Sequence, residues 1–174
     1  NEKLGEFKYK IRAKSFFQTN SYQAKKLYDV VLDFAGVDEG DTVYDLYCGT
    51  GTIGLYLSQN AGKIVGIESV PQAIEDANEN AKINGVDNAF FEVGDMRKIF
   101  DNNFINKYGK ADVIITDPPR NGMHKDVVQQ LALSNVAKIV YVSCNVATQA
   151  RDLDLLRDYY KIEKVQPVDM FPQT

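Results

Sequence analysis

The sequence predicts an α/β domain built on a doubly wound, mostly parallel β-sheet. Five short apolar strand signals alternate with helix signals along the chain. The strand signals lie at 43–46, 63–68, 88–93, 111–117 and 138–144. Because parallel neighbours need crossover helices, this alternation predicts parallel pairing. With 174 residues, 44% of them hydrophobic, we expect one domain over 1–174 whose residues 1–15 form an arm.

The helices are predicted by apolar spacing and by residues typical of helix ends. The first spans 21–35, with apolar residues at i, i+3, i+4 and i+7, Asn20 as its cap and Gly36 as its stop. Pro71 begins the next long helix. Further helix signals begin near Ile53, after His124 and near Val146. An alternating pattern over 161–170 predicts a last, mixed strand.

The central motif is VYDLYCGTGTIGL, residues 43–55, in which a strand signal is followed by three glycines and a helix signal. Gly49, Gly51 and Gly54 permit positive φ and close approach of a ligand. Free N–H groups at the helix start would face that ligand. The letters GTGTIG also fit the G-x-G-x-x-G dinucleotide fingerprint, so the loop alone leaves NAD open.

Two carboxylates help to choose the ligand of this loop. Asp45 lies just before the first glycine, and Glu68 ends the next strand signal at the spacing of a ribose-binding acid. A carboxylate at Asp45 would repel a pyrophosphate but would suit a ligand with a sulfonium and an α-amino group. The pattern favours S-adenosylmethionine over NAD. Capping of the glycine-loop turn is the alternative role of Asp45.

Polar residues follow or end each of the five strand signals. They are Asp45, Glu68, Asp95, Asp117 and Cys144. Ligands of doubly wound sheets bind beyond the carboxyl ends of the strands, so we expect these residues to gather at one edge. Each of them alone would also fit a capping acid or a small buried thiol.

The stretch DPPRNG, residues 117–122, is predicted to be a stiff turn that holds Asp117 in place. It resembles the D-P-P-aromatic motif of amino methyltransferases. Arg120, however, stands where that motif has the ring on which a flipped base stacks. Arg120 would suit a phosphate or a carboxylate, and the alternative is a rigid loop with a surface arginine.

The two cysteines are predicted to have different roles. Cys144 lies between a strand signal and a helix start, where the helix dipole would stabilise a thiolate nucleophile. Cys48 lies inside the glycine loop and is interpreted as a small packing residue. His124 has no metal-ligand companions, so we interpret it as a surface residue and expect no metal.

Charge and composition restrict the partners and the location. The net charge of −4 and the pI near 5.0 lack the basic footprint of a self-sufficient nucleic-acid binder. Two cysteines, no apolar run near 18 residues and no signal-peptide pattern predict a cytoplasmic protein without a membrane span. Because the first residue is Asn, we expect an excised fragment.

Five ordered motifs resemble the RNA uracil-5-methyltransferases that modify ribosomal and transfer RNA. The motifs are SFFQTN, DLYCGTGTIGL, GIESVPQAIEDANENAKING, DPPRNG and YVSCNVATQARDL, and DMFPQT follows them. The match runs in register from about Phe16 to the end. The resemblance implies a Rossmann-like domain of the class I S-adenosylmethionine-dependent methyltransferase type, with its last strand truncated.

The resemblance also implies roles for single residues. It implies cofactor contacts at Gln18, Tyr47, Glu68 and Asp117, with Asp95 and the glycines Gly49 and Gly51 around the adenosine. It implies that Cys144 is the nucleophile, so Cys144 and Asp117 are the candidate catalytic residues, with Arg120 as a candidate substrate contact.

The chemistry of that family needs a nucleophile and a base. A thiolate adds to carbon 6 of uracil, carbon 5 attacks the methyl sulfonium, and a base then removes the carbon 5 proton. The base looks like the glutamate of F-P-H-T-x-H-x-E, whereas this chain ends at FPQT. Gln173 and Val146 also depart from the usual His and Pro. We therefore expect the chain to bind the cofactor but not to complete the reaction alone.

Two other functions stay open at this point. One is a cofactor-binding module without catalysis. The other is a methyltransferase acting on another base, against which Arg120 and the context of Cys144 argue. The expected partner is RNA, with rRNA preferred to tRNA, held mostly by regions outside this chain, and we expect a monomer.

Overall fold

The computed structural model describes residues 2–10, 20–98 and 102–172. The strands are β1 (Glu2–Leu4), β2 (Phe7–Tyr9), β3 (Thr42–Leu46), β4 (Lys63–Glu68), β5 (Ala89–Val93), β6 (Val113–Thr116) and β7 (Lys138–Tyr141). The helices are α1 (Ser21–Ala35), α2 (Thr52–Leu57), α3 (Pro71–Ile83), α4 (Asn102–Tyr108), α5 (Lys125–Leu133) and α6 (Val146–Leu156), with a 3₁₀ turn at Met96–Lys98.

Strands β3 to β7 form one parallel sheet in the order β5-β4-β3-β6-β7. The chain moves outward from β3 through β4 to β5 and then returns to the other side of β3 as β6. Ligands of doubly wound sheets bind beyond the carboxyl ends at this reversal point. The doubly wound parallel sheet predicted from the alternation of strand and helix signals is confirmed.

Alternating side chains of the strands divide the core into two layers. Val43, Ile64 and Ile115 lie in the layer that α1, α2 and α3 cover. Tyr44 and Ile114 lie in the opposite layer with residues of α5 and α6. A shift of register by one residue would exchange the side chains of the two layers. Since burial of one such side chain contributes about 1.5–3 kcal/mol, this exchange is strongly disfavoured.

Helix α1 begins and ends at the predicted residues. The Gln23 N–H donates to the Asn20 side chain at 3.2 Å, which caps the first turn. Gly36 adopts a left-handed φ of 52° and its N–H donates to the Leu32 carbonyl at 2.9 Å. The predicted cap and stop are confirmed, and α3 begins at Pro71 as expected.

The predicted arm contains a β-hairpin among its described residues. Strands β1 and β2 pair antiparallel, and Leu4, Phe7 and Tyr9 are buried in the layer of α1 to α3. The Tyr9 hydroxyl donates to the Thr52 carbonyl at 3.2 Å, so the hairpin reaches the first residue of α2. Residues 2–10 of the arm are therefore packed on the domain next to the glycine-loop helix.

Two segments differ from their predictions. The strand expected over 161–170 does not form, and most of its side chains are exposed. An alternating pattern is not sufficient for a strand, because a strand also needs a hydrogen-bonded neighbour. In addition, Pro167 has no backbone N–H to donate to such a neighbour. Helix α4 was not predicted, because two turns are too short to show a clear period in the sequence.

Gly66 in β4 supplies the first testable prediction. An added Cβ there would lie 2.3 Å from Phe91 Cδ1 and 3.0 Å from Cys48 Sγ. We expect Gly66→Ala to lower the free energy of unfolding by about 1–3 kcal/mol through overpacking, measured by urea denaturation. Gly40→Ala is the control, because no atom lies within 4 Å of its Cβ position. Equal losses in both variants would contradict the prediction.

Candidate functional site

The register of the sheet brings predicted site residues to one edge. Leu46, Ile67 and Thr116 form one row across β3, β4 and β6. Glu68 and Asp117 follow this row directly, on either side of β3. The Asp117 N–H donates to the Leu46 carbonyl at 3.3 Å, which continues the ladder by one step.

The outer strands extend the same edge. Tyr141 of β7 pairs with Thr116, and Cys144 follows three residues later. Val93 of β5 pairs with Glu68, and Asp95 follows two residues later. From one side of the sheet to the other, the order is Asp95, Glu68, Asp45, Asp117 and Cys144. The predicted gathering of these residues at one edge is confirmed by the pairing of the strands.

Asp45 is the most deeply buried member, with 1% of its surface exposed. The Gly54 N–H donates to its Oδ2 at 2.9 Å, so Asp45 does cap the turn into α2. Its Oδ1 has no partner among the described residues. The pKa of this carboxyl is raised to about 7, mainly by burial. The Gly54 N–H opposes this rise, and the nearby charges of Asp117 and Glu68 contribute to it.

The glycines of the loop meet different requirements. Gly49 has φ of 54°, and no atom lies within 4 Å of an added Cβ, so this side of the loop is open to a ligand. Gly51 has φ of 76°, and an added Cβ would lie 2.7 Å from Phe91 Cζ. Gly49 therefore leaves the crevice accessible, whereas Gly51 permits packing against β5.

Tyr47 directly follows β3, and Asp117 directly follows β6, the two strands that flank the reversal point. Burial raises the pKa of the Asp117 carboxyl to about 6. Tyr47 has a positive φ of 60°, and its ring packs against the layer of α5 and α6. Burial raises the pKa of the Tyr47 phenol to about 12, and its hydroxyl meets the backbone of His124. Of these two side chains, Asp117 is the one whose pKa approaches the range in which a proton can be exchanged near neutrality.

Glu68 and Asp95 both have local partners. Glu68 Oε1 accepts from the Val70 N–H at 3.0 Å, at the start of α3. Asp95 forms an ion pair with Arg97 at 2.6 Å, and hydrogen bonds from Arg97 lower the pKa of this carboxyl to about 2. A cavity of about 260 Å³ lies beside Asp95, against Phe104 of α4. There is thus room for a ligand group next to this carboxylate.

The cysteines have opposite environments. Cys48 is buried and Cys144 is exposed. Burial, followed by the charge of Asp45, raises the pKa of the Cys48 thiol well above its ordinary value. The interpretation of Cys48 as a packing residue is confirmed. Of the two thiols, only that of Cys144 is accessible to a substrate from outside.

The loop of DPPRNG is fixed to the helix that follows Cys144. Asn145 Oδ1 accepts from the Ala147 N–H at 3.1 Å and caps α6. The Asn145 Nδ2 and the Thr148 hydroxyl both donate to the Arg120 carbonyl, at 3.0 and 3.2 Å. The backbone of Arg120 is thereby held beside Cys144, while its side chain is exposed.

A buried carboxylate that the sequence reasoning missed strengthens this connection. Asp152, 1% exposed, accepts from the Met123 N–H and from the Tyr141 hydroxyl, both at 2.8 Å. Arg151 pairs with it at 2.6 Å. Asp152 lies four residues before the buried Leu156, so the two side chains share the buried face of α6. A carboxylate on an otherwise apolar helix face is the signal from which its burial could have been predicted.

The remaining predicted residues are placed as follows. His124 is exposed and accepts from the Asp126 N–H at 3.2 Å as the cap of α5, which confirms it as a surface residue. Gln18 lies outside the described residues. Among residues 2–10, 20–98 and 102–172, no group of three or more His, Cys, Asp or Glu is arranged to hold a metal ion. No helix in this part of the chain has both the length and the apolar character needed to cross a membrane.

Known proteins resemble this chain over nearly its whole length. The family described as tRNA (uracil-5-)-methyltransferase matches residues 3–174. A protein of Bacteroides thetaiotaomicron, named as an uncharacterized RNA methyltransferase, is 54% identical over 99% of this chain and 38% of its own length. A protein of Clostridium acetobutylicum with the same description is 48% identical over 98% of this chain and 37% of its own length. The chain thus spans less than two fifths of these relatives.

A solved structure shows the same relation. The tRNA (uracil-54, C5)-methyltransferase of Pyrococcus abyssi, in complex with S-adenosyl-L-homocysteine, is 40% identical with a TM-score of 0.85. The similarity covers 99% of this chain and 41% of that chain. Trm5b of the same archaeon, 23% identical with a TM-score of 0.65, shares the fold alone.

The buried carboxyl of Asp45 supplies the second prediction. Because its folded pKa is about 7 and lies above the ordinary value, ionisation destabilises the folded state as pH rises from about 4 to 7. Asparagine stays neutral and keeps an acceptor for Gly54. We expect the free energy of unfolding of Asp45→Asn, relative to the unmodified chain, to increase over this range by on the order of 2–4 kcal/mol.

Urea denaturation of both proteins at pH 4, 5.5, 7 and 8 measures this difference. The difference should level off above pH 7, where the carboxyl of Asp45 is ionised in both states. A difference that is constant across the series, or that decreases with pH, would show that Asp45 does not carry a buried charge at neutral pH.

Proposed function

The chain belongs to the tRNA (uracil-5-)-methyltransferase family, and we propose that it is the cofactor-binding and catalytic part of an enzyme that methylates carbon 5 of uridine in RNA. The observation that carries this proposal is the exposed thiol of Cys144, which follows β7 at the same sheet edge as Asp45 and Asp117. A nucleophile and a cofactor crevice at one edge are what a covalent methyl transfer requires.

The proposed cofactor is S-adenosylmethionine, which supplies an electrophilic methyl group when bound. Its product, S-adenosyl-L-homocysteine, is bound by the archaeal relative. The unpartnered Oδ1 of Asp45 suits the positive charge of the methionine part, and the open side of Gly49 leaves room for it. Glu68 would accept from the ribose hydroxyls. Asp95, with the cavity beside it, would face the adenosine.

Other cofactor contacts follow from the family resemblance and remain proposals. The backbone of Tyr47 lies at the entrance of the glycine loop, whereas its ring is directed to the layer of α5 and α6. Gln18 precedes α1. Both are proposed to contact the methionine part of the cofactor.

Cys144 is the proposed nucleophile. Its thiolate would add to carbon 6 of uracil and displace the electron pair of the double bond onto the carbonyl oxygen as an enolate. Carbon 5 would then attack the methyl group. Asp117, with a pKa of about 6, is suited to accept a hydrogen bond from the base or from the cofactor at neutral pH and to donate one when protonated.

Arg120 is the proposed substrate contact. Its carbonyl accepts hydrogen bonds from Asn145 and Thr148, so the loop that carries its exposed side chain lies against the start of the helix after Cys144. A guanidinium binds phosphate oxygens in a bidentate manner, so Arg120 would position the backbone of the target nucleotide.

Three requirements of the reaction are proposed to lie outside the chain. A net charge of −4 gives little attraction for RNA, whose binding depends on basic contacts. Unstacking of the target uridine costs a few kcal/mol, which such contacts must offset. The base that removes the carbon 5 proton is the glutamate that the family resemblance implies. We therefore propose that the chain alone binds the cofactor but does not complete turnover. In isolation it would thus behave as a cofactor-binding module without catalysis.

The RNA substrate is left to experiment. The sequence-based preference is rRNA, whereas the descriptions of the family and of the archaeal relative name tRNA. The cytoplasmic location predicted from the composition also remains a prediction. The monomeric state remains a prediction.

Cofactor binding by the chain is the third prediction. At a ligand concentration of about 100 times Kd, S-adenosyl-L-homocysteine should stabilise the chain by roughly 2.7 kcal/mol, visible as a raised Tm, and NAD should not. Glu68→Ala should weaken binding by about 1–3 kcal/mol, since an acceptor is lost. Glu6→Ala, an exposed carboxylate in the hairpin turn, is the control. A raised Tm with NAD alone would contradict the assignment.

The identity of the nucleophile is the fourth prediction. In the full-length protein, Cys144→Ala should abolish turnover and the covalent adduct with RNA containing 5-fluorouridine, whereas Cys48→Ala should keep the adduct. Unmodified rRNA and tRNA, labelled cofactor and nucleoside analysis for 5-methyluridine identify the product and the substrate. The chain alone, assayed in parallel, should give no turnover. An adduct that survives Cys144→Ala but is lost in Cys48→Ala would overturn the assignment.

A further inference from the structure

The glycine loop is held from behind by a side chain of α3 that the proposed mechanism does not use. Asn80 is completely buried. Its Nδ2 donates to the carbonyl of Thr50, between Gly49 and Gly51, at 3.3 Å. Its Oδ1 accepts from the Lys10 N–H, at the end of the hairpin, at 2.8 Å. One amide thus connects the loop to the chain that leads into the domain.

The direction of the Thr50 carbonyl is important because of its neighbours. Gly49 and Gly51 both have positive φ, and glycine reorients its peptides at little steric cost. The loop therefore has weak intrinsic preference for one direction of this carbonyl. A carbonyl turned toward the crevice would face the carboxylate of a bound amino-acid ligand, and repulsion would result. The hydrogen bond from Asn80 holds the carbonyl toward α3 instead.

We propose that Asn80 is a positioning residue of the cofactor site, which sets the conformation of the glycine loop and couples it to the hairpin. It acts through the Thr50 carbonyl and does not itself touch the ligand. This inference rests on the binding of S-adenosylmethionine to the glycine loop, as proposed above. Cofactor binding should in turn stabilise the Lys10 contact, because coupling between two sites is reciprocal.

Asn84, the C-cap residue of the same helix, gives a matched control. Asn84 Oδ1 accepts from the Lys8 N–H, and its Nδ2 donates to the Lys8 carbonyl, both at 2.8 Å. It therefore binds the same hairpin with the same kind of side chain. Its hydrogen bonds go to Lys8 and to the backbone of Asn80, and the glycine loop is not among these partners.

Two substitutions separate the loop contact from the hairpin contact. Asn80→Asp keeps an acceptor for Lys10 but replaces the donor to Thr50 with a second acceptor. Asn84→Ala removes the Lys8 contacts and leaves the loop contact. We expect Asn80→Asp to raise the Kd for S-adenosyl-L-homocysteine at least about five-fold in calorimetric titration, the effect of a lost hydrogen bond. Asn84→Ala should lower Tm but change Kd by less than about two-fold.

A purely structural role predicts a different pattern. In that case Asn80→Asp would lower Tm yet bind the ligand within about two-fold of the unmodified chain, or both variants would weaken binding equally. Either result would overturn the proposal.

A second measurement needs no substitution and applies if Asn80→Asp fails to fold. Amide hydrogen exchange of the unmodified chain should slow at Lys10, and less at Lys8, when S-adenosyl-L-homocysteine is added. Unchanged exchange at Lys10, or equal slowing at both residues, would overturn the proposal. If the unmodified chain does not bind the ligand, the cofactor assignment fails, and this inference fails with it.

Discussion

The parallel pairing of β3 with β4 on one side and β6 on the other is the constraint on which the rest of the structure depends. Residues Val43 to Leu46 of β3 are buried, with side chains on both faces of the sheet. A shift of β3 by one residue would therefore exchange the two core layers. With that register fixed, Glu68 and Asp117 must emerge at the carboxyl edge on opposite sides of β3. The crevice at the reversal point is thus a consequence of core packing.

This packing brings the carboxyl groups of Asp45, Glu68 and Asp117 close together at one edge of the sheet. Asp45 is buried between Glu68 and Asp117, and the pKa values of Asp45 and Asp117 lie at about 7 and 6. Only one oxygen of Asp45 has a protein partner among the described residues. A buried acceptor without a partner costs about 1–3 kcal/mol, and such local cost is typical of a site that a ligand completes. A cationic ligand would remove both the repulsion and the unmet hydrogen bond.

The sequence was sufficient to predict those features of the structure that depend on a local pattern of residues. Alternation of strands and helices predicted the parallel sheet, and Asn20 and Gly36 marked the ends of α1 because capping is a local property. It was insufficient where contacts are distant in sequence. Asp152 contacts Met123 across 29 positions, and Asn80 contacts Thr50 across 30, so neither partner is visible in a local window. The strand expected over 161–170 failed for the same reason, since a strand is defined by a neighbour.

The two loops beside the reversal point are therefore fixed by buried polar side chains from opposite faces of the sheet. Asn80 of α3 holds the glycine loop, and Asp152 of α6 holds the loop that contains Arg120. Glycine and proline give these loops their shapes, but hydrogen bonds from rigid helices select one shape of each. Reacting groups combine efficiently only when their separation is fixed within a fraction of an ångström. The position of Cys144 relative to the crevice beside Asp45 is thus set by the folded domain itself.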